Sequence, residues 1–325
     1  MKYIVFGESH GPAIGVTLEN VPSGIATDME FIRSELKRRA PGQNAMSTAR
    51  KEADEVEILS GVFEGHTTGT PLCAIIRNTD THSKDYEKLK NVPRPSHADY
   101  AGTIRYNGYQ DYRGGGHFSG RLTAPLVFAG ALAKLILKQK NIEITSSISM
   151  LGGTVNPTPE QVQAIIMDAK MKQDSVGGAI VCSVNGVSAG FGSPDFGCNA
   201  EGIFSQYIFA VPAVKGISFG AGFGFGSMYG SEANDPFYMD GDTVRTRSNY
   251  SGGINGGITN GMPITFEAAI RPTPSIALEQ NTVDLSSHED VKLNIVGRHD
   301  PCIVQRALPV IEAAAALATC ELLGI

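Results

Sequence analysis

This sequence predicts an α+β fold, with antiparallel strands packed against long buried helices in one integrated domain, on three observations. The first is a hairpin signal. Ala179 to Val184 runs into Asn185-Gly186 and then Val187, and Asn-Gly supplies the left-handed backbone of a two-residue antiparallel turn. The second is an internal similarity. Arg121-Leu-Thr-Ala-Pro125-Leu126-Val127 enters an Ala/Leu-rich helix, and Arg306-Ala-Leu-Pro309-Val310-Ile311 enters the Ala-rich helix that ends the chain. Each follows a polar segment with Gly and His, Gly114 to His117 and Gly297 to Asp300. A duplicated unit with two central helices side by side accounts for the pair; the alternative is chance likeness between Ala-rich helices. The third is that no strand leads into a dinucleotide fingerprint or a Gly-Lys-Ser/Thr loop, which disfavours Rossmann and P-loop architectures.

Taken in order, Thr27 to Arg39 reads as a helix. Thr27 and Glu30 form a capping-box pattern, Met29, Ile32 and Leu36 recur at helical spacing, and Pro41-Gly42 stops it. Its last turn, Lys37-Arg38-Arg39, sets cations at the negative end of the helix dipole, which explains Lys37 and Arg38 as readily as a functional role does. Leu122 to Leu137 is the longest apolar run. It falls short of the ~18 residues of a spanning helix and contains Lys134, so it predicts a buried helix. A further helix starts at Pro159, capped by Thr158, with Val162, Ile165, Ile166 and Ala169 facing inward. Lys215 to Phe225 alternates Gly with Ile and Phe and reads as strand. No tract rich in Pro, Ser or charge divides the chain, so residues 1–325 are expected to form a single domain.

Composition narrows the function. The chain has 42% hydrophobic and 18% charged residues and 38 glycines, the profile of a globular protein rich in backbone that can approach a ligand closely. A formal net charge of −6 disfavours a general nucleic-acid binder. The short apolar stretch before Glu8 is no signal peptide, which predicts a cytoplasmic protein. Cys73, Cys182, Cys198, Cys302 and Cys320 are scattered and odd in number, suggesting neither a disulfide framework nor a metal site.

Four segments carry Gly, His, Arg and carboxylate beyond what packing requires: Gly7 to Pro12, Arg94 to Tyr100, Asp111 to Arg121, and Gly297 to Pro301. His10 and His97 are the candidates for proton transfer, since an imidazole titrates near pH ~6.5 and a carboxylate neighbour can orient it. Gly7, Gly11 and Pro12 build a tight turn around His10. His66, His82 and His288 lie in polar stretches without such company and read as surface residues. Arg113-Gly-Gly-Gly with Arg121 reads either as an anion cradle, whose arginine forks and backbone N–H groups hold phosphate, or as a flexible loop. Arg271-Pro272-Thr273-Pro274-Ser275, after Gly252 to Gly257, reads either as the wall of a flat cofactor or as a Pro-rich edge connection.

Together these segments resemble the chorismate synthase family. The likeness runs from Gly7-Glu8-Ser9-His10-Gly11 through Leu59 to Gly65, Arg94 to Tyr100, Asp111 to Arg121 and Pro212 to Gly216, to Gly297-Arg298-His299-Asp300-Pro301-Cys302, nearly the whole chain. The resemblance implies antiparallel sheets packed on a central helical layer, a β-α-β sandwich with internal pseudo-duplication, and a homotetramer. It implies the conversion of 5-enolpyruvylshikimate 3-phosphate to chorismate and phosphate with reduced FMN. NADPH, or a separate flavin reductase, would supply the electrons. His10 would protonate the departing phosphate, His97 would serve the reduced flavin, and Asp300 would work with flavin N5 on the ring proton. Arg39, Arg94, Arg113, Arg121 and Arg298 would clamp the substrate, with Arg39 also near NADP. His117, Phe118, Ser119, Pro212, Ala213, Gly256, Arg271, Pro272, Thr273, Pro274, Ser275 and Arg298 would line the FMN site. The Arg-Ser-Ser-Ala-Arg of many family members reads His117-Phe118-Ser119-Gly120-Arg121 here, the Lys-Pro of many reads Arg271-Pro272, and a further family arginine falls at Ala45, where either Arg50 substitutes or the contact is missing.

Overall fold

The computed structural model describes residues 1–42, 54–79, 89–295 and 300–325. The first half of the chain gives strands β1 (Lys2–Gly7) and β2 (Ala13–Glu19), helix α1 (Met29–Arg39), strands β3 (Val56–Ser60) and β4 (Leu72–Arg77), a short helix α2 (Asp99–Arg105) and the long helix α3 (Thr123–Lys138). The second half gives β5 (Glu143–Leu151), α4 (Pro159–Met171), β6 (Gly178–Asn185), α5 (Ala200–Phe209), β7 (Val214–Phe219), β8 (Ile264–Ile270) and α6 (Val304–Leu322).

The duplication is visible in the sheet order. The first sheet runs β1-β2-β4-β3 and the second β5-β6-β8-β7, with the edge strand Thr154–Val155 added beside β5. Every pairing is antiparallel. In each half a helix follows the second strand, α1 or α5, and a long helix closes the unit, α3 or α6. The first sheet packs on α3 and the second on α6 and α5, so the helices form the middle layer of a β-α-β sandwich. Helices α3 and α6 lie side by side at a glycine. A Cβ at Gly130 would stand 2.2 Å from the Ala313 Cβ, a backbone approach that only glycine allows. Ala313, Ala314, Ala315, Ala316 and Ala318 are all buried, as small residues at such a seam must be.

Gly120–Lys138, a short 3₁₀ turn followed by α3, is long and apolar enough to cross a membrane by length and composition, and most of it is buried in this layer. Its mid-helix cation, Lys134, is matched there. Its ammonium donates to Glu35 and, at 2.6 Å, to Glu312, while Arg38 forks onto Glu312 at 2.7 and 2.8 Å and Ser146 donates at 2.7 Å. Desolvation alone would push the Glu312 carboxyl up, but the Arg38, Lys134 and Ser146 contacts overcome it and lower the value to about 2. Arg38 therefore joins α1 to α6 as well as complementing its own helix end.

Helix α4 starts as the sequence predicts, with a full capping box between Thr158 and Gln161, though Ile165 is only half-buried. Three expectations change. Helix α1 begins at Met29, not at a Thr27 capping box: Asp28 accepts from the Phe31 N–H at 3.0 Å, and the Thr27 hydroxyl instead donates to the Gly65 carbonyl at 2.8 Å. Asn185-Gly186 is not a hairpin, because β6 pairs with β5 and β8; the glycine ends the strand where a Cβ would meet the Asn141 carbonyl at 2.3 Å. The predicted strand from Lys215 stops at Phe219, and Gly222–Ser227 turns as a 3₁₀ helix.

Candidate functional site

A cavity of about 310 Å³ opens where the starts of α3 and α6 meet the segments before β7 and after β8, near the lower limit of ~300 Å³ for ligand sites. Both halves of the duplication contribute to it: Arg121 from the approach to α3, and Arg306 from the first turn of α6.

One wall is cationic. Arg39, at the last residue of α1, donates to Asp54 Oδ2 at 2.7 Å, and Arg121 donates to Asp54 Oδ1, all three side chains being 3% exposed or less. One buried carboxylate thus serves two guanidiniums. Arg94 forks onto Asp99, Nε to Oδ2 at 2.7 Å and Nη2 to Oδ1 at 2.8 Å. His97 Nδ1 lies 2.6 Å from the same Asp99 Oδ1. Burial alone would raise the Asp99 carboxyl, yet the bonds from Arg94 and His97 dominate and hold it far below the ordinary carboxylate range. Arg306 donates to Asp300 and, through Nε, to the Arg39 carbonyl at 2.9 Å. Arg271 donates to the carbonyl and hydroxyl of Ser96, whose φ of 62° places it in the left-handed region. Among the described residues, five lining guanidiniums stand against the carboxylates of Asp54, Asp99 and Asp300, which leaves an excess of positive charge for an anionic ligand.

The other wall is mostly apolar. Val211, Pro212 and Ala213 lead into β7, Thr273, Pro274 and Ser275 follow β8, and Phe118, Ile303, Ala307 and Val310 complete it. The Arg271 N–H donates to the Ala213 carbonyl at 3.0 Å, which holds the two segments side by side. This rigid surface ends at Ser275, whose hydroxyl accepts from Arg94 at 3.4 Å.

The glycine triplet takes a form that neither sequence reading anticipates. Gly114, Gly115 and Gly116 all have positive φ, and each meets a different neighbour. A Cβ at Gly114 would stand 2.1 Å from the His10 ring, one at Gly115 3.1 Å from the His97 ring, and one at Gly116 2.0 Å from the Asp111 carbonyl. The triplet is the spacer that admits both imidazoles. The His10 turn closes through Gly11 N–H to the Glu8 carbonyl at 3.0 Å, and Ser9 N–H to the Gly116 carbonyl at 3.1 Å ties it to the triplet.

Of the residues singled out from sequence, the cavity wall gathers Arg39, Arg94, His97, Phe118, Ser119, Arg121, Pro212, Ala213, Arg271, Thr273, Pro274, Ser275 and Asp300. His10 is buried against Gly114, which itself lines the cavity. Others lie elsewhere. Arg113 is 42% exposed and forks onto Asp111 at 2.8 and 2.7 Å. His117 is exposed, with Nδ1 3.0 Å from the Gly7 carbonyl. Pro272 is exposed beside Gly177, and Gly256 sits in the tight turn between Ile254–Asn255 and Ile258–Thr259. Arg298, Ala45, Arg50 and His82 lie outside the described residues. Sequence reasoning missed Asp54, Asn78 and Arg306 as site residues. The repeat that pairs Arg306 with Arg121 carried the signal for the last.

The family model for chorismate synthase matches residues 1–323. The chain is 44% identical to the chorismate synthase of Thermococcus kodakarensis, with 97% of this chain and 94% of that one covered. It is 42% identical to that of Dehalococcoides mccartyi, over 98% and 93% of the two chains. A solved structure titled "Crystal Structure of Chorismate Synthase" superposes with a TM-score of 0.76 at 27% identity, covering 99% of this chain and 91% of that one.

Proposed function

The chain belongs to the chorismate synthase family, and from that premise we propose how its cavity carries out the family's reaction. That reaction is the anti-1,4-elimination of phosphate from 5-enolpyruvylshikimate 3-phosphate to give chorismate, a lyase step of the shikimate pathway. The observation that carries the reading is the convergence of Arg39, Arg94, Arg121, Arg271 and Arg306 on one cavity with a histidine at its edge and an aspartate in its wall.

The substrate is a polyanion, with two carboxylates and a phosphate. Arg39 and Arg121 are brought together on the one carboxylate of Asp54, so two guanidiniums stand side by side in the cavity wall, and we assign the phosphate to them. His10, held against Gly114, donates a proton to the bridging oxygen as the C–O bond breaks, so the phosphate leaves with its charge reduced. Asp300, oriented by Arg306, is the chain's group for the ring proton lost from the other side of the elimination. His97 and Arg94, fixed by Asp99, border the apolar wall.

That wall suits a flavin: it is mostly apolar and stiffened by Pro212 and Pro274, with Arg94, His97 and Arg271 at its margin for polar ring edges and a phosphate tail. Arg94, His97 and Arg271 would hold reduced FMN there, and it would supply the electron that the elimination borrows and returns, with NADPH or a flavin reductase as the source of reductant. Residues 1–325 act as one catalytic domain in the cytoplasm. Exposed Phe196, Phe223, Tyr229 and Phe237 support burial against further copies in a homotetramer.

The deciding experiment is anaerobic incubation of the purified protein with substrate and reduced FMN. Chorismate and phosphate are expected in equal amounts, with reductant needed only catalytically. A protein that binds flavin yet forms no chorismate, or that oxidises NADPH in proportion to product, would overturn the reading.

A further inference from the structure

The residue that couples the proton donor to the anion clamp is absent from every motif above. Asn78 follows β4 directly, and its N–H extends the ladder to β2 by donating to the Pro12 carbonyl at 3.2 Å. The sheet therefore fixes its backbone. Its side-chain Nδ2 donates to the Glu8 carbonyl at 2.9 Å and the Gly11 carbonyl at 2.8 Å, the two carbonyls that flank Ser9-His10. Its Oδ1 accepts from Arg121 Nε at 3.1 Å. All three bonds require this one orientation of the amide, because the flipped group would set an oxygen against two carbonyls and an NH₂ against a guanidinium.

We infer that Asn78 is a positioning residue for the elimination, setting the His10 turn and the Arg121 guanidinium at one fixed separation. This rests on reading His10 as the proton donor to the phosphate that Arg121 holds. Among the described residues, Asp54 anchors the end of the Arg121 fork and Asn78 its Nε. The turn that carries His10 is only four residues across, and the Asn78 amide holds both of its ends with one planar group. An amide at this point transmits no charge to the substrate. It determines whether a phosphate seated on Arg121 lies within proton-transfer reach of His10, and a misplacement of about 1 Å in such a geometry costs on the order of 100-fold in rate.

Two substitutions separate the functions of the amide. Asn78→Asp keeps an acceptor for Arg121 and loses both donors to the His10 turn. Asn78→Ala loses all three bonds. With chorismate formation as the assay, Asn78→Asp is expected to lower kcat by roughly 10- to 100-fold and, because its carboxylate sets a negative charge beside Arg121, to raise KM as well. Asn78→Ala is expected to lower kcat similarly and also to raise KM several-fold. In a His10→Ala background, Asn78→Asp should lower kcat no further, because the group it positions is gone. Thermal melts of each variant show the folded fraction to which rates are normalised, and Asn78→Asp, nearly isosteric, carries the test if Asn78→Ala does not fold. If His10→Ala alone leaves turnover unchanged, the assignment of His10 falls and this inference with it. If His10→Ala is slow but the Asn78 variants turn over normally, or Asn78→Asp costs the same factor in both backgrounds, His10 stands and the role of Asn78 is overturned.

Discussion

Gly114 faces the imidazole of His10 so closely that any side chain at 114 would occupy the ring's place: an added Cβ would lie 2.1 Å from both Cε1 and Nδ1. The backbone there has φ of 60°, so glycine is required both by conformation and by the proximity of the proposed proton donor.

Gly114→Ala should therefore fold and fail to turn over. The left-handed backbone costs an alanine about 1–3 kcal/mol, a loss that a domain of this size survives. The displaced ring should cost at least tenfold in kcat. Steady-state kinetics beside a denaturant melt checks both, and a near-wild-type kcat would show that the His10 ring has room the structure denies it.

Asp54 is the shared counter-ion of Arg39 and Arg121, with no exposed side-chain surface. Asp54→Asn leaves two buried guanidiniums without their carboxylate and should destabilise the protein by about 3–5 kcal/mol. Inorganic phosphate should then raise the melting temperature of the variant more than that of wild type, because the anion supplies the missing charge. Equal responses to phosphate would place the anion clamp elsewhere.

Glu312 gives a pH prediction with a definite sign. Its folded value of about 2 lies below the ordinary 4.5, so its stabilisation is complete above pH 4.5 and is lost as pH falls through about 2. The shift corresponds to roughly 3 kcal/mol. Glu312→Gln should lower stability at neutral pH and make the acid limb between those values shallower, which urea melts at a series of pH values would measure. An acid limb of unchanged slope would mean that other carboxylates dominate it.

Asp300→Asn retains an oxygen acceptor for Arg306 but has no carboxylate to take up a proton. Chorismate formation is expected to fall at least 100-fold while flavin affinity, read by fluorescence quenching, stays near wild type. Turnover close to wild type would remove Asp300 from the ring-proton step.

How much of this was legible beforehand depends on how local each feature is. The start of α4 could be read from Thr158, Pro159 and Gln161 because a cap is decided within four residues. The histidine turn was legible for the same reason, its glycines lying beside it in sequence. Asn185-Gly186 misled because its left-handed glycine serves a contact with Asn141, 45 positions away, and the neighbours of β6 are chosen by the sheet. Thr27 misled because a carbonyl at Gly65 captured its hydroxyl. Asp54 and Asn78 carried no signal, since each is a single polar residue in an ordinary stretch whose role appears only when distant segments meet. The glycine triplet is plain in the sequence but its meaning is not, because what a glycine avoids cannot be read from the glycine itself.

The seam between α3 and α6 has a consequence for the history and the engineering of such a chain. Each repeat ends in a helix with small residues that packs closely against the other repeat's helix, Gly130 against Ala313. Neither repeat expressed separately has a surface that water would tolerate. The same seam forms the floor under the cavity, where Arg121 comes from one repeat and Arg306 from the other. A forebear made of one repeat would have had to self-associate to hide its helix, and in doing so would have created a symmetric pocket with an arginine from each copy. Fusing the copies freed the two sides to diverge, and the histidines on one side and the aspartate on the other are the record of that divergence.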